Sequence, residues 1–197
     1  MINNLKLLDK ALLILDVDET LIYATKSKLS KDEDCKVFDY YVYERPNLKT
    51  FLEQIKSDYK LAIWSSASDD YVDEVVKQTI LNNYKFKFVW GRSKATYRRN
   101  FEQDELRIYG NDRSHYHYVK SLKKVKKLGY EIERILIVDD SPHKSKLNYG
   151  NAIYPKSYQG EIEDEELTIL AKYLTSIKDC ENFRKLEKRT WRTKQYM

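Results

Sequence analysis

Asp16-Val-Asp18-Glu-Thr20 and Asp139-Asp140-Ser141-Pro142 place four aspartates at two points of the chain, each group directly after a short apolar run. A third run, Leu61 to Trp64, is followed by Ser65 and Ser66. Gathered into one crevice, Asp16, Asp18, Asp139 and Asp140 would repel and raise one another's pKa values. A divalent cation relieves that repulsion, and an all-oxygen set favours Mg²⁺ or Ca²⁺ over Zn²⁺. Mg²⁺ commonly takes one or two carboxylates with waters and a substrate phosphate, so the substrate group is expected to be a phosphate. Ser65, Ser66 and the amides of the loop ahead of Ser68 are candidate donors to that phosphate, and Lys120 is the candidate cation for its oxygens. An aspartate can then serve as nucleophile, forming an aspartyl phosphate, while a second acid protonates the leaving oxygen.

These residues need elements that bring them together. Ala11 to Leu15, Leu61 to Trp64 and Ile135 to Val138 are continuous apolar runs suited to strands buried on both faces, and Phe86 to Trp90 is a fourth. Helical spacing links Leu48, Phe51, Leu52 and Ile55 after Pro46, and Tyr71, Val72, Val75, Val76 and Ile80 after a Ser68 N-cap. It recurs from Val119 through Leu122, Val125 and Leu128 to Gly129, and from Leu167 to Ile177. Strand and helix in alternation predict an α/β fold with a mostly parallel sheet, whose ligands bind beyond the carboxyl ends of the strands. Two segments break the rhythm, residues 22–45 and 92–118, and both read as inserted hairpins, the second around Gly110-Asn111-Asp112. Residues 1–177 are expected to form one domain and 178–197 a basic tail with few apolar anchors beyond Phe183, Leu186 and Trp191.

Composition closes off other classes. The 197 residues are 42% apolar and 34% charged, a globular balance, and 36 basic against 31 acidic residues give a modest net +5. No run approaches a membrane span, and the N-terminus lacks the pattern of a secretory signal. Cys35 and Cys180 form no close pair and read as reduced thiols, so a soluble cytoplasmic protein is expected. The basic tail carries no nucleic-acid-binding motif, and neither a nucleic-acid nor a membrane partner is expected.

Asp16-Val-Asp-Glu-Thr-Leu21, Trp64-Ser-Ser-Ala-Ser68, Tyr118-Val-Lys120 and Ile137-Val-Asp-Asp-Ser-Pro142 resemble the haloacid dehalogenase superfamily in type and order. Within it, Glu19-Thr20 and Asp139 to Pro142 are similar to the small C-terminal-domain phosphatases, the NLI-interacting-factor-like family; the likeness runs from about Ala11 to Tyr173 and includes Asn151-Ala-Ile153. The resemblance implies a Rossmann-like three-layer sandwich with small β-hairpin inserts and no large cap domain. It implies Asp16 as nucleophile and Mg²⁺ ligand, and Asp18 as general acid then base with its backbone carbonyl on the metal. Ser65, where many relatives carry Thr, would hold the phosphoryl group, and Lys120 would clamp phosphoryl oxygens and nucleophile. Asp140, where some relatives carry Asn, would ligate Mg²⁺ directly, and Asp139 would support it through water.

The expected activity is an Mg²⁺-dependent phosphomonoester hydrolase, with a phosphoprotein Ser/Thr substrate preferred. Small phosphometabolites, nucleic-acid ends, phosphoryl transfer to an alcohol and a non-catalytic phospho-ligand module stay open. The family's best-known substrates are phosphoserines of the RNA polymerase II tail, but the 92–118 segment is longer than in compact relatives and borders the site. Acids after a strand also serve as turn and N-cap residues, so the functional reading rests on the conjunction of the Asp16/Asp18 and Asp139/Asp140 sets.

Overall fold

A computed structural model describes residues 9–99 and 116–193. The three apolar runs that precede the acids and hydroxyls form β1 (Leu12–Leu15), β5 (Lys60–Trp64) and β9 (Ile135–Val138). With the shorter β6 (Val89–Trp90) and β10 (Ala152–Ile153) they make a sheet of order β10-β9-β1-β5-β6, parallel at every pairing. The expected strand at Phe86–Trp90 contracts to its last two residues.

Alternation along each strand divides the core between the two faces. Leu13 and Leu15, Leu61 and Ile63, and Leu136 and Val138 face one side. There they meet apolar stripes of α1 (Leu48–Asp58), α2 (Asp69–Gln78) and α4 (Glu166–Ile177). Leu12, Ile14, Ala62, Trp64, Ile135 and Ile137 face the other, against Leu122 and Val125. A buried Leu or Ile stabilises by roughly 1.5–3 kcal/mol, so both faces contribute.

On this second side the structure corrects the sequence reading. The stripe from Val119 to Leu128 is not one helix. Val119 ends β8 (Tyr116–Val119), only Lys123–Lys126 are helical (α3), and Leu128 is exposed. The cause is the backbone of Lys120. Its N–H donates to the Lys144 carbonyl at 2.8 Å, and its carbonyl accepts from Asn148 Nδ2 at 2.6 Å. Pairing with the turns at Pro142–Asn151 removes Lys120 from any helical ladder.

The 22–45 insert has three strands rather than two. β2 (Ile22–Thr25), β3 (Cys35–Val37) and β4 (Tyr40–Glu44) form an antiparallel sheet of order β2-β4-β3, with Val37 and Val42 turned into the core. In the second insert β7 (Thr96–Arg99) pairs antiparallel with β8, and the Gly110-Asn111-Asp112 turn lies outside the described residues. The segment expected as a basic tail is anchored on the domain through residue 193. Phe183 and Trp191 are buried in the core, and Arg192 pairs with Glu166 of α4. Among the described residues no helix is long and apolar enough to cross a membrane.

Candidate active site

The chain steps outward from β1 to β5 and β6, then returns to β9 on the other side of β1, so the strand order reverses at the carboxyl end of β1. Three residues are pinned there because each extends the sheet ladder by one bond. Asp16 N–H donates to Val138 O at 2.9 Å, Asp139 N–H to Ile153 O at 3.2 Å, and Ser65 N–H to Trp90 O at 2.9 Å. The turn after β1 is set by Glu19, whose φ of 62° puts a non-glycine residue in the left-handed region. Its N–H donates to Ile22 O at 2.7 Å, and Leu21 N–H donates back to Val17 O at 2.8 Å.

Lys120 is fully buried between two acids, its Nζ 2.7 Å from Asp16 Oδ1 and 2.6 Å from Asp139 Oδ2. Lys144 approaches the same acids from the solvent side, 3.3 Å from Asp16 Oδ2, 3.9 Å from Asp139 Oδ1 and 3.8 Å from Asp140 Oδ1. Burial pushes the Asp16 carboxyl up, but the ammonium groups of Lys120 and Lys144 outweigh burial and hold it below the usual range. Burial, and then the charge of Asp16, push Asp139 up. Asp139 Oδ1 also accepts from the Ser141 N–H at 2.9 Å, and the Asp140 N–H donates to Thr20 Oγ1 at 3.2 Å.

Asp18 stands apart from this ionic cluster. Tyr71 Oη donates to its Oδ1 at 2.8 Å and Ser65 Oγ to its Oδ2 at 3.1 Å. Burial and the Asp16 charge nevertheless push its carboxyl above the usual range. Two neighbouring aspartates are thus driven apart in proton affinity, the pattern that separates a nucleophile from an acid. Ser65 Oγ also accepts from the Ala67 N–H at 3.0 Å. Ser66 Oγ is shielded from solvent with no hydrogen-bond partner among the described residues, and Ser68 sits at the N-cap of α2 without a side-chain cap bond.

A metal fits this donor set. Asp16, Asp139 and Asp140 each offer a carboxylate oxygen within 4.8 Å of the others, and the Lys144 ammonium already stands against them as a cation. The oxygen-only chemistry suits Mg²⁺. The Asp18 carboxylate, occupied by Tyr71 and Ser65, is not in the cluster.

An open cavity of about 320 Å³ begins at Asp18 and runs between Phe38, Tyr40, Tyr71 and Arg92. Phe38 occupies the β3–β4 turn at φ 51° and is 64% exposed. Arg92 is held by the Ser66 carbonyl at 2.8 Å and lies over the Tyr118 ring.

Sequence reasoning missed three residues that shape the site. Lys144 was readable as a lysine four places after Asp140, where a Pro-started helical segment turns it back over the acids. Tyr71 looked like a core residue of α2, and nothing in its spacing marks its hydroxyl. Arg45 is buried, paired through both Nε and Nη2 with Asp164 at 2.9 and 2.8 Å, and donates to the Thr20 carbonyl at 3.0 Å.

The parallel five-stranded sheet that carries these acids and the buried lysine has the fold of solved haloacid-dehalogenase-like hydrolases. A hydrolase of that group from Xanthomonas campestris superposes with a TM-score of 0.54 over 88% of this chain and 99% of its own, at 9% identity. Residues 11–184 match the NLI interacting factor-like phosphatases, and the chain belongs to that family. It is 26% identical to the CTD small phosphatase-like protein 2 of Dictyostelium discoideum, over 89% of this chain and 29% of the relative. Identity is again 26% with the human carboxy-terminal domain RNA polymerase II polypeptide A small phosphatase 1, over 81% of this chain and 56% of the relative. The chain therefore spans from under a third to just over half of these relatives' length.

Proposed function

We propose that the protein is an Mg²⁺-dependent phosphatase that hydrolyses phosphomonoesters through an aspartyl phosphate on Asp16. One observation carries the reading: Asp16 is buried and held ionised by Lys120, two residues from an Asp18 whose carboxyl is raised and oriented by Tyr71 and Ser65. Asp16, Asp139 and Asp140, with the Asp18 carbonyl, would hold Mg²⁺, which when bound neutralises phosphoryl charge. Lys120 and the Ser65–Ser68 loop would bind the remaining phosphoryl oxygens.

An Asp16 oxygen attacks phosphorus, and the bond from phosphorus to the leaving oxygen breaks as Asp18 passes its proton to that oxygen. Asp18, now a carboxylate, takes a proton from water as that water attacks the phosphorus of the aspartyl phosphate. Phosphate leaves, and the Asp16 carboxylate is restored. Tyr71 keeps Asp18 aimed through both half-reactions.

The open cavity beside Asp18, with aromatic walls and no capping domain among the described residues, favours an extended phosphoprotein segment over an enclosed metabolite. The names of the relatives point the same way. The test is phosphate release from phosphopeptides, sugar phosphates and phosphorylated oligonucleotides side by side, with wild type and Asp16→Asn. Mg²⁺-dependent release that vanishes in the variant is expected, with phosphopeptides turned over fastest. Hydrolysis retained by Asp16→Asn would overturn the nucleophile, and preference for either other substrate class would overturn the substrate reading.

A further inference from the structure

The two lysines of the site are unlike one another. Lys120 is fully buried and contacts its acids at 2.6 and 2.7 Å, whereas Lys144 keeps 18% of its side chain exposed and stands 3.3 to 3.9 Å from three acids. The oxygens it faces come from Asp16, Asp139 and Asp140, the three residues whose carboxylates converge as a cation site. With Lys120 alone, three ionised carboxylates would leave two negative charges unmatched, the charge a divalent cation balances. With Lys144 seated as well, only one remains.

We propose that Lys144 is a displaceable internal counter-cation. Its ammonium offsets one charge of the acid cluster before metal enters and must swing out to solvent when a divalent cation binds, so it sets the metal affinity of the site. The inference rests on the reading of these acids as the metal site. Like charges cannot share three carboxylates at this range without repulsion that burial makes strong.

The backbone permits the movement. Lys144 N–H is tied to the Ser141 carbonyl at 3.0 Å, and its carbonyl accepts from the Lys120 N–H at 2.8 Å. The peptide is therefore fixed, and only the flexible side chain has to move. The looser contacts and partial exposure of Lys144 make it the ammonium that yields, while Lys120 is fully buried with shorter bonds to its acids.

Calorimetric titration of the full chain with Mg²⁺ tests this in wild type, Lys144→Gln and Lys144→Arg. Lys144→Gln should bind Mg²⁺ at least roughly tenfold more tightly, and Lys144→Arg should stay close to wild type. An unchanged or weakened affinity in Lys144→Gln overturns the proposal. A second measurement needs no variant: acylation of lysine amines followed by mass spectrometry, with and without saturating Mg²⁺. Lys144 should be modified faster once Mg²⁺ is bound, and modification that slows or stays the same refutes displacement. Failure of the underlying site looks different, since then neither wild type nor Lys144→Gln gives heat with Mg²⁺, and both readings fall together.

Discussion

Replacing Asp164 by Asn should lower stability far more than its place in a loop suggests. The Arg45 side chain is fully buried and spends two of its donors on Asp164, a third on the Thr20 carbonyl, and its face against the Tyr158 ring. Asparagine keeps the shape but leaves a buried cation without its counter-charge, a defect that typically costs about 3–5 kcal/mol. The surviving bond to Thr20 and the aromatic contact favour the lower end, about 3 kcal/mol, or about 6–12 °C in a protein of this size. Urea unfolding at neutral pH reads the loss directly. Acid provides a second reading. Burial pushes the Asp164 carboxyl up, but the hydrogen bonds and charge of Arg45 outweigh it and hold the folded-state value below the ordinary one. A lowered carboxylate stabilises fully above its unfolded value, near 4, and loses that contribution as pH falls through the folded value. The gap between wild type and variant should therefore shrink in acid. A neutral-pH loss under about 1 kcal/mol, the worth of an exposed pair, would refute the reasoning. So would a gap that persists unchanged in acid. The double variant Arg45→Met with Asp164→Leu should recover much of the loss, because no charge is then left buried.

Asp18→Asn should lower kcat by about 10²–10⁴ for an alkyl phosphate and much less for an aryl phosphate with a good leaving group; equal losses on both would remove Asp18 from the acid role. Lys120→Met strands Asp16 and Asp139 in the interior and should cost about 3–5 kcal/mol by urea unfolding together with the activity; a fully stable variant would contradict the buried triad. Phe183→Ala should cost about 3–5 kcal/mol, measured the same way, and a loss below about 1 kcal/mol would detach the 178–193 segment from the core.

The strands that carry the site were legible because burial on both faces turns a strand into an uninterrupted apolar run, as in Leu12–Leu15 and Ile135–Val138. Acids and hydroxyls directly after such runs had to fall on one edge of a parallel sheet, and Asp16, Asp139 and Ser65 do. Periodicity failed where bonds from a distant segment took over the backbone. Val119, Leu122 and Val125 are buried as their spacing demands, yet Asn148 and Lys144 capture the peptide groups of Lys120 and prevent one continuous helix. The meander at residues 22–45 was under-read because β3 is only three residues long, with one buried position. Tyr71 and Arg45 stayed hidden for another reason. Their work depends on partners 53 and 119 positions away, which no local pattern records.

The ladder bonds that carry Asp16, Asp139 and Ser65 one step beyond their strands also decide when this site can come apart. Bonded into the ladder of a buried sheet, these amides should open only with the whole domain, rather than with the low-energy excursions of a loop. Heating should therefore leave the arrangement of the acids unchanged until the protein melts, and turnover should fail at the melting transition instead of fading below it. Adaptability is left to the parts beyond the ladder, the Lys144 side chain and the exposed Phe38 turn, where a change of sequence can retune ion affinity or substrate fit without loosening the reacting groups.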